Sequence, residues 1–214
     1  MMAGTASAMS EINLESGGFV KGVAIALVTQ NQDPDGLCRV KVRYPWHSDS
    51  AESYWARLAV PMAGNDRGTV FLPEVGDEVL VIFEREDMRF PYVLGGLFNG
   101  QDKPPESNAS GKNDIRVIKT RKGHTLLFDD STSKGRIELK LNDGKKLAID
   151  DDGIKLDDGA GNSLEIDSKG NSVTLQAAAT LTLKAPAIAV EATKGLTLKG
   201  SEQVTIQGGM VNIN

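Results

Sequence analysis

The hydrophobic and polar positions of this chain follow two rhythms, one before residue 100 and one after residue 139. From Phe19 to Tyr44 the pattern reads as two strands. They are joined by the turn Asn31-Gln32-Asp33-Pro34-Asp35-Gly36, where proline presets φ and glycine accepts positive φ. In the second strand Cys38, Val40, Val42 and Tyr44 share one parity and Arg39, Lys41 and Arg43 the other. Such alternation is the mark of a half-buried antiparallel strand. Cys38 is therefore expected to be a small buried hydrophobe. Further strands are expected over Tyr54 to Val60, Glu78 to Phe83 and Pro91 to Leu97, the middle one after the turn Pro73-Glu74-Val75-Gly76-Asp77.

Five short strands with almost no helical periodicity predict a small closed barrel of the OB type over residues 19–100. Residues 1–18 are expected to be an N-terminal lead, polar over Glu11 to Gly18, that is flexible or contacts the protein holding this end. Glu84-Arg85-Glu86-Asp87 reads as a charged hairpin tip, because paired catalytic carboxylates need a cleft that two strands do not supply. Residues 101–114, rich in Pro, Ser, Asn, Gly and charge, read as a linker. Strand-like pieces at Ile115 to Thr120, His124 to Asp129 and Arg136 to Leu141 make a β neck over residues 115–141.

The second rhythm is a repeat. Apolar-x-apolar pairs fall at Leu139/Leu141, Leu147/Ile149, Ile154/Leu156, Leu164/Ile166, Val173/Leu175, Leu181/Leu183, Ile188/Val190, Leu196/Leu198, Val204/Ile206 and Val211/Ile213, at a mean spacing of 8 residues. A regular period of short strands marks a solenoid or fibrous β-structure. Each repeat offers about two inward side chains, too thin a stripe for one chain to close a core. Three chains wound about one axis would bring the stripes together. Residues 142–214 are thus expected to form an intertwined triple-stranded β-helix, a trimeric needle on the order of 50 Å long at ~4.8 Å per strand. The expected trimer core comprises Leu156, Leu164, Ile166, Val173, Leu175, Leu181, Leu183, Ile188, Val190, Leu196, Leu198, Val204 and Ile206. A single-chain β-helix would use longer coils. Asp150-Asp151-Asp152-Gly153 and Asp157-Asp158-Gly159 lack calcium-roll and EF-hand spacing and read as solvated turns.

Composition sharpens this picture. Ten of the eleven aromatic residues precede Gly100, so only the first half can build an ordinary core. Charged residues at 25% and apolar residues at 40% exclude wholesale disorder. A net charge of -5 argues against nucleic acid as the main partner. The single cysteine excludes an intrachain disulfide and a cysteine-based zinc site. No signal peptide and no transmembrane run is read, so the chain is expected in the cytoplasm until it assembles. No catalytic, cofactor or metal residues are expected.

Several ordered blocks resemble the VgrG proteins of type VI secretion systems and the spikes of contractile-phage baseplates. They are Asp35 to Trp46 (DGLCRVKVRYPW), Tyr54 to Ala59 (YWARLA), Phe71 to Val81 (FLPEVGDEVLV), Tyr92 to Gly100 (YVLGGLFNG) and Lys119 to Asp130 (KTRKGHTLLFDD). The resemblance implies an OB-fold followed by a triple-stranded β-helix, acting as the central, non-enzymatic spike at the tip of a contractile tube. It implies a homotrimer that punctures a target membrane mechanically, with delivery outside the cell or into the target. Because the hub domain usual in VgrG proteins does not precede this barrel, a separate hub protein is expected at that end. The only histidines, His47 and His124, do not make an iron-binding His-x-His tip. A PAAR-type tip protein is expected to dock on Val211, Asn212, Ile213 and Asn214. The rival readings are a trimeric receptor-binding tail fibre, a spike with an inserted lysozyme and an OB-fold nucleic-acid binder.

Overall fold

The computed structural model describes residues 19–47, 52–133 and 135–213. The lead 1–18 therefore lies outside the described residues. The chain divides into two compact units, Met1–Ser107 and Asn108–Asn214. Among the described residues all regular structure is β apart from one 3-10 turn.

In the first unit β1 (Val23–Gln30), β2 (Lys41–Arg43), β3 (Arg57–Leu58), β6 (Glu78–Phe83) and β7 (Pro91–Gly96) form one sheet in the order β2-β1-β6-β7-β3. Only β3 and β7 run parallel. The two edges then meet: Val40 and Ala56 exchange backbone hydrogen bonds of 3.0 and 2.7 Å, which curls the sheet into a closed barrel. Alternate residues fill it, with Ala26, Val28, Val40, Val42, Tyr44, Ala56, Val79, Val81, Phe83, Met88 and Val93 all buried. The Tyr44 ring meets Phe83 edge-on at 5.6 Å and stacks on Trp46 at 5.3 Å. Its hydroxyl is buried with no hydrogen-bond partner among the described residues, and burial pushes that phenol well above its ordinary pKa.

Three local expectations change. Cys38 is exposed, at φ 54°, because the chain is still turning there. The Asp33 carboxylate gathers the backbone N–H groups of Asp35, Leu37 and Arg39 and the Arg39 guanidinium, and this delays the strand to Lys41. The strand expected over Tyr54 to Val60 shrinks to Arg57–Leu58. Ser53 is drawn inward, its hydroxyl accepting from the Val42 N–H at 3.1 Å, so the approach to β3 is irregular. The excursion before β6 also holds a small hairpin, β4 (Ala63–Gly64) with β5 (Arg67–Gly68), turning at Asn65-Asp66. The charged tip is a single 3-10 turn, Glu84–Glu86, with Arg85 at φ 51°.

The second unit is a seven-stranded antiparallel meander with strands in strict chain order. These are β8 (Ile115–Lys119), β9 (Thr125–Asp129), β10 (Arg136–Lys140), β11 (Lys146–Asp150), β12 (Gly153–Asp157), β13 (Ser163–Asp167) and β14 (Ser172–Gln176). The ladder runs unbroken from β10 into β11. This corrects one feature of the sequence reading, which assigned every repeat beyond residue 142 to strands shared among three chains. As far as Gln176 each repeat pairs with the next in its own chain. The reason is turn chemistry. Asp150 accepts from the N–H groups of Asp152 and Gly153, Asp158 from those of Ala160 and Asn162, and Asp167 from those of Lys169 and Gly170. Each closes a tight reversal that folds the following strand back.

Beyond Gln176 the turns change. Ala177-Ala178-Ala179-Thr180 and Ala185-Pro186 offer no such carboxylate. Among the described residues from Ala177 to Ile213 no strand is paired, although the apolar-x-apolar repeat continues.

Candidate assembly face

The hairpin registers place the apolar pairs of successive strands opposite one another. Ile137, Ile149, Ile154, Ile166 and Val173 form one column, and Leu139, Leu147, Leu156, Leu164 and Leu175 a second beside it. Phe128 and Leu126 extend the two columns onto β9. The opposite face carries Glu138, Ala148, Lys155, Glu165 and Thr174.

The apolar columns face outward from the chain. Their ten residues are 37–68% exposed, and every buried apolar residue of the described chain lies in the barrel. A continuous aliphatic ladder left in water is an assembly surface. Covering each half-exposed leucine or isoleucine contributes roughly 1 kcal/mol or more. The polar face is internally matched: Lys155 Nζ lies 3.6 Å from both Asp157 and Glu165, and Arg136 lies 3.0 Å from Asp129. The turns carry their own ion pairs. The Lys145 ammonium holds the Asp143 carboxyl below its usual range, and Asn162 does the same for Asp158. Aspartates of this unit thus close turns and pair with lysines and arginines.

Of the residues expected in the trimer core, Leu156, Leu164, Ile166, Val173 and Leu175 stand together on the two columns of the sheet. Leu181, Leu183, Ile188, Val190, Leu196, Leu198, Val204 and Ile206 lie on the unpaired segment, 53–69% exposed. Val211, Asn212 and Ile213 are exposed, and Asn214 lies outside the described residues. The first pair was read two residues late. The structure pairs Ile137 and Leu139 in β10 and leaves Leu141 in the turn, its N–H donating to Lys145 O at 2.8 Å. Leu126 and Phe128 also went unrecognised as part of the face, although the alternation in His124 to Asp129 carried the signal.

A closed five-stranded barrel followed by a meander with an uncovered two-column aliphatic face defines a structural assembly module. Comparison with known proteins agrees. Residues 24–98 match the type VI secretion system/phage-baseplate injector OB domain, and residues 116–174 match the phage baseplate V C-terminal trimerisation domain. The barrel and the meander thus each belong to a domain family of phage-baseplate and type VI secretion injectors.

Three relatives illustrate the match. The type VI secretion system spike protein VgrG3 of Vibrio cholerae is 30% identical over 132 residues, covering 56% of this chain and 13% of that protein. VgrG2a of Pseudomonas aeruginosa is 30% identical over 115 residues, 50% of this chain and 14% of its own length. The actin cross-linking toxin VgrG1 of Vibrio cholerae is 28% identical over 132 residues, 56% of this chain and 12% of that protein. The chain thus spans only about an eighth of these relatives. Among the described residues no helix is long and apolar enough to cross a membrane.

Proposed function

We propose that this chain is one subunit of a rigid homotrimeric needle at the tip of a contractile tube, which breaches a target membrane mechanically and carries no reaction of its own. The observation that carries the reading is the change of pairing at Gln176. Up to that point the sheet is self-paired with one bare aliphatic face. Beyond it the same apolar rhythm continues on a segment without strand partners in its own chain. Backbone N–H and C=O groups left out of a ladder need partners. Two further copies would supply them, strand by strand, and would cover both aliphatic columns along the axis.

In this reading Leu156, Leu164, Ile166, Val173 and Leu175 line the axis of a three-sided prism. Leu181, Leu183, Ile188, Val190, Leu196, Leu198, Val204 and Ile206 line the intertwined part. Sheath contraction supplies the force; the trimer supplies stiffness and a narrow section. A hub protein holds the barrel end, and a PAAR-type tip protein caps the segment around Val211, Asn212 and Ile213. The test is complementation in the cell that encodes the chain. Deleting it should abolish injection, the wild-type chain should restore it, and Leu198→Asp should not. Full restoration by Leu198→Asp would contradict the proposal.

A further inference from the structure

The barrel has an apolar outside as well as an apolar inside. In β1, Ala26 and Val28 point into the core, while Val23 and Ile25 point away and are 55% and 47% exposed. The same holds across the sheet. Val23 faces Ile82 and Ile25 faces Leu80, and Leu94 bulges outward from β7 beside them. An antiparallel sheet with one solvated face alternates apolar with polar residues; a strand apolar on both faces is covered on both. This outer face is therefore built to be covered.

A glycine on the same face leaves a gap in it. Gly95 stands opposite Leu80 on the outer surface, directly after the bulge at Leu94. It has no positive φ, and a Cβ added there would meet nothing within 4 Å. Glycine inside a strand marks a bulge or a place where another backbone or ligand approaches closely. The bulge accounts for a glycine here, and the open space above it leaves room for a neighbour.

The same domain also bears an apolar projection. The β4–β5 hairpin is pinned at its base by the Thr69 N–H donating to Met62 O at 3.0 Å, and it exposes Met62, Val70 and Phe71. A threefold ring is closed by heterologous contacts, each joining two different surfaces of identical molecules. The outer aliphatic face with its gap at Gly95 and the projecting apolar edge are two such surfaces.

We infer that in the trimer the Met62, Val70 and Phe71 edge of one barrel seats on the Val23, Ile25, Leu80, Ile82 and Leu94 face of the next, over Gly95. The inference rests on the trimeric spike reading. A trimerisation domain on the same chain keeps the two other barrels tethered nearby, at an effective concentration of about millimolar for a short linker. The occupant at hand is thus a second copy of this chain.

Cysteine cross-linking of the full chain tests this. In a Cys38→Ser background, Ile25→Cys and Phe71→Cys together should give covalent dimers and trimers on a denaturing gel after mild oxidation, and either alone should give none. Adding Gly95→Leu to the pair should cut the cross-link at least tenfold and leave the barrel's thermal unfolding unchanged. A protein that is trimeric by light scattering but uncross-linked would assign the face to a different protein of the particle and overturn the inference alone. Equal cross-linking by a single variant would overturn it too, since the face would then meet itself, and so would an unchanged yield with Gly95→Leu. A native mass short of three chains would sink the spike reading and this inference with it.

Discussion

Leu147 stands directly opposite Leu156 in the register of β11 and β12, so consecutive repeats of one chain stack their leucines in a single column. Ile149 does the same with Ile154 one step along the strand. Because side chains alternate with a period of two, this register puts both residues of every pair on the same face. A shift by one residue would bury lysines and glutamates in their place. The register therefore fixes the fold of one chain and gathers its aliphatic pairs on one uncovered face.

The parity of the unpaired segment can be tested directly. In the proposed needle Leu183→Asp would bring three carboxylates to the axis, an arrangement that costs several kcal/mol unless they are neutralised. The melting temperature of the full chain should fall by about 10 °C or more. Thr182→Asp, one residue away on the other parity, should leave it within a few degrees. Equal effects from the two would contradict the alternation assigned to this segment.

Gly153 begins β12 at φ 152°, and a Cβ there would collide with the Ile166 carbonyl oxygen on the next strand. Gly153→Ala should destabilise the β12–β13 hairpin by more than about 1 kcal/mol. Amide hydrogen exchange across Ile154 to Ile166 should report it, with protection lost there and retained in β8 to β10. Uniform protection across the sheet would refute the close approach.

The Arg39 guanidinium holds the Asp33 carboxyl well below the usual carboxylate range, helped by the N–H groups of Asp35, Arg39 and Leu37 and opposed by burial. A depressed folded pKa contributes stability that is present above the unfolded value of about 3.9 and is lost as pH falls toward the folded one. The melting temperature of the barrel should therefore exceed that of Asp33→Asn by a constant amount above pH 5. The gap should narrow below pH 4. A gap that widens on acidification would show that the Asp33–Arg39 pair does not stabilise the fold.

Tyr44→Phe removes a buried hydroxyl that has no partner among the described residues while keeping the ring stacked on Trp46 and edge-on to Phe83. It should be neutral or stabilise the barrel by about 1 kcal/mol, read as the urea midpoint. A loss of more than about 1 kcal/mol would mean that the hydroxyl is satisfied in the assembled protein.

Much of this architecture was legible in the sequence because it rests on alternation. Val40, Val42 and Tyr44 were marked as core by parity alone. Cys38 was misread because parity was extended two residues into a turn that the Asp33 carboxylate keeps from becoming strand. The self-pairing of β10 to β14 was missed for a related reason. An eight-residue period gives the number of strands but leaves open which strand each one pairs with. That choice lies in the reversals, where Asp150, Asp158 and Asp167 bind the backbone two to four residues ahead. The face of Val23, Ile25, Leu80, Ile82 and Leu94 was hidden because a run apolar on both parities does not say which side a single chain leaves bare.

In the proposed spike three copies of this chain complete one another's sheet and core. Light scattering after size-exclusion chromatography tests it most directly. One early-eluting species with the mass of three chains of 22.9 kDa, about 69 kDa, is expected, as a closed threefold assembly requires. A well-folded species with the mass of a single chain would contradict it.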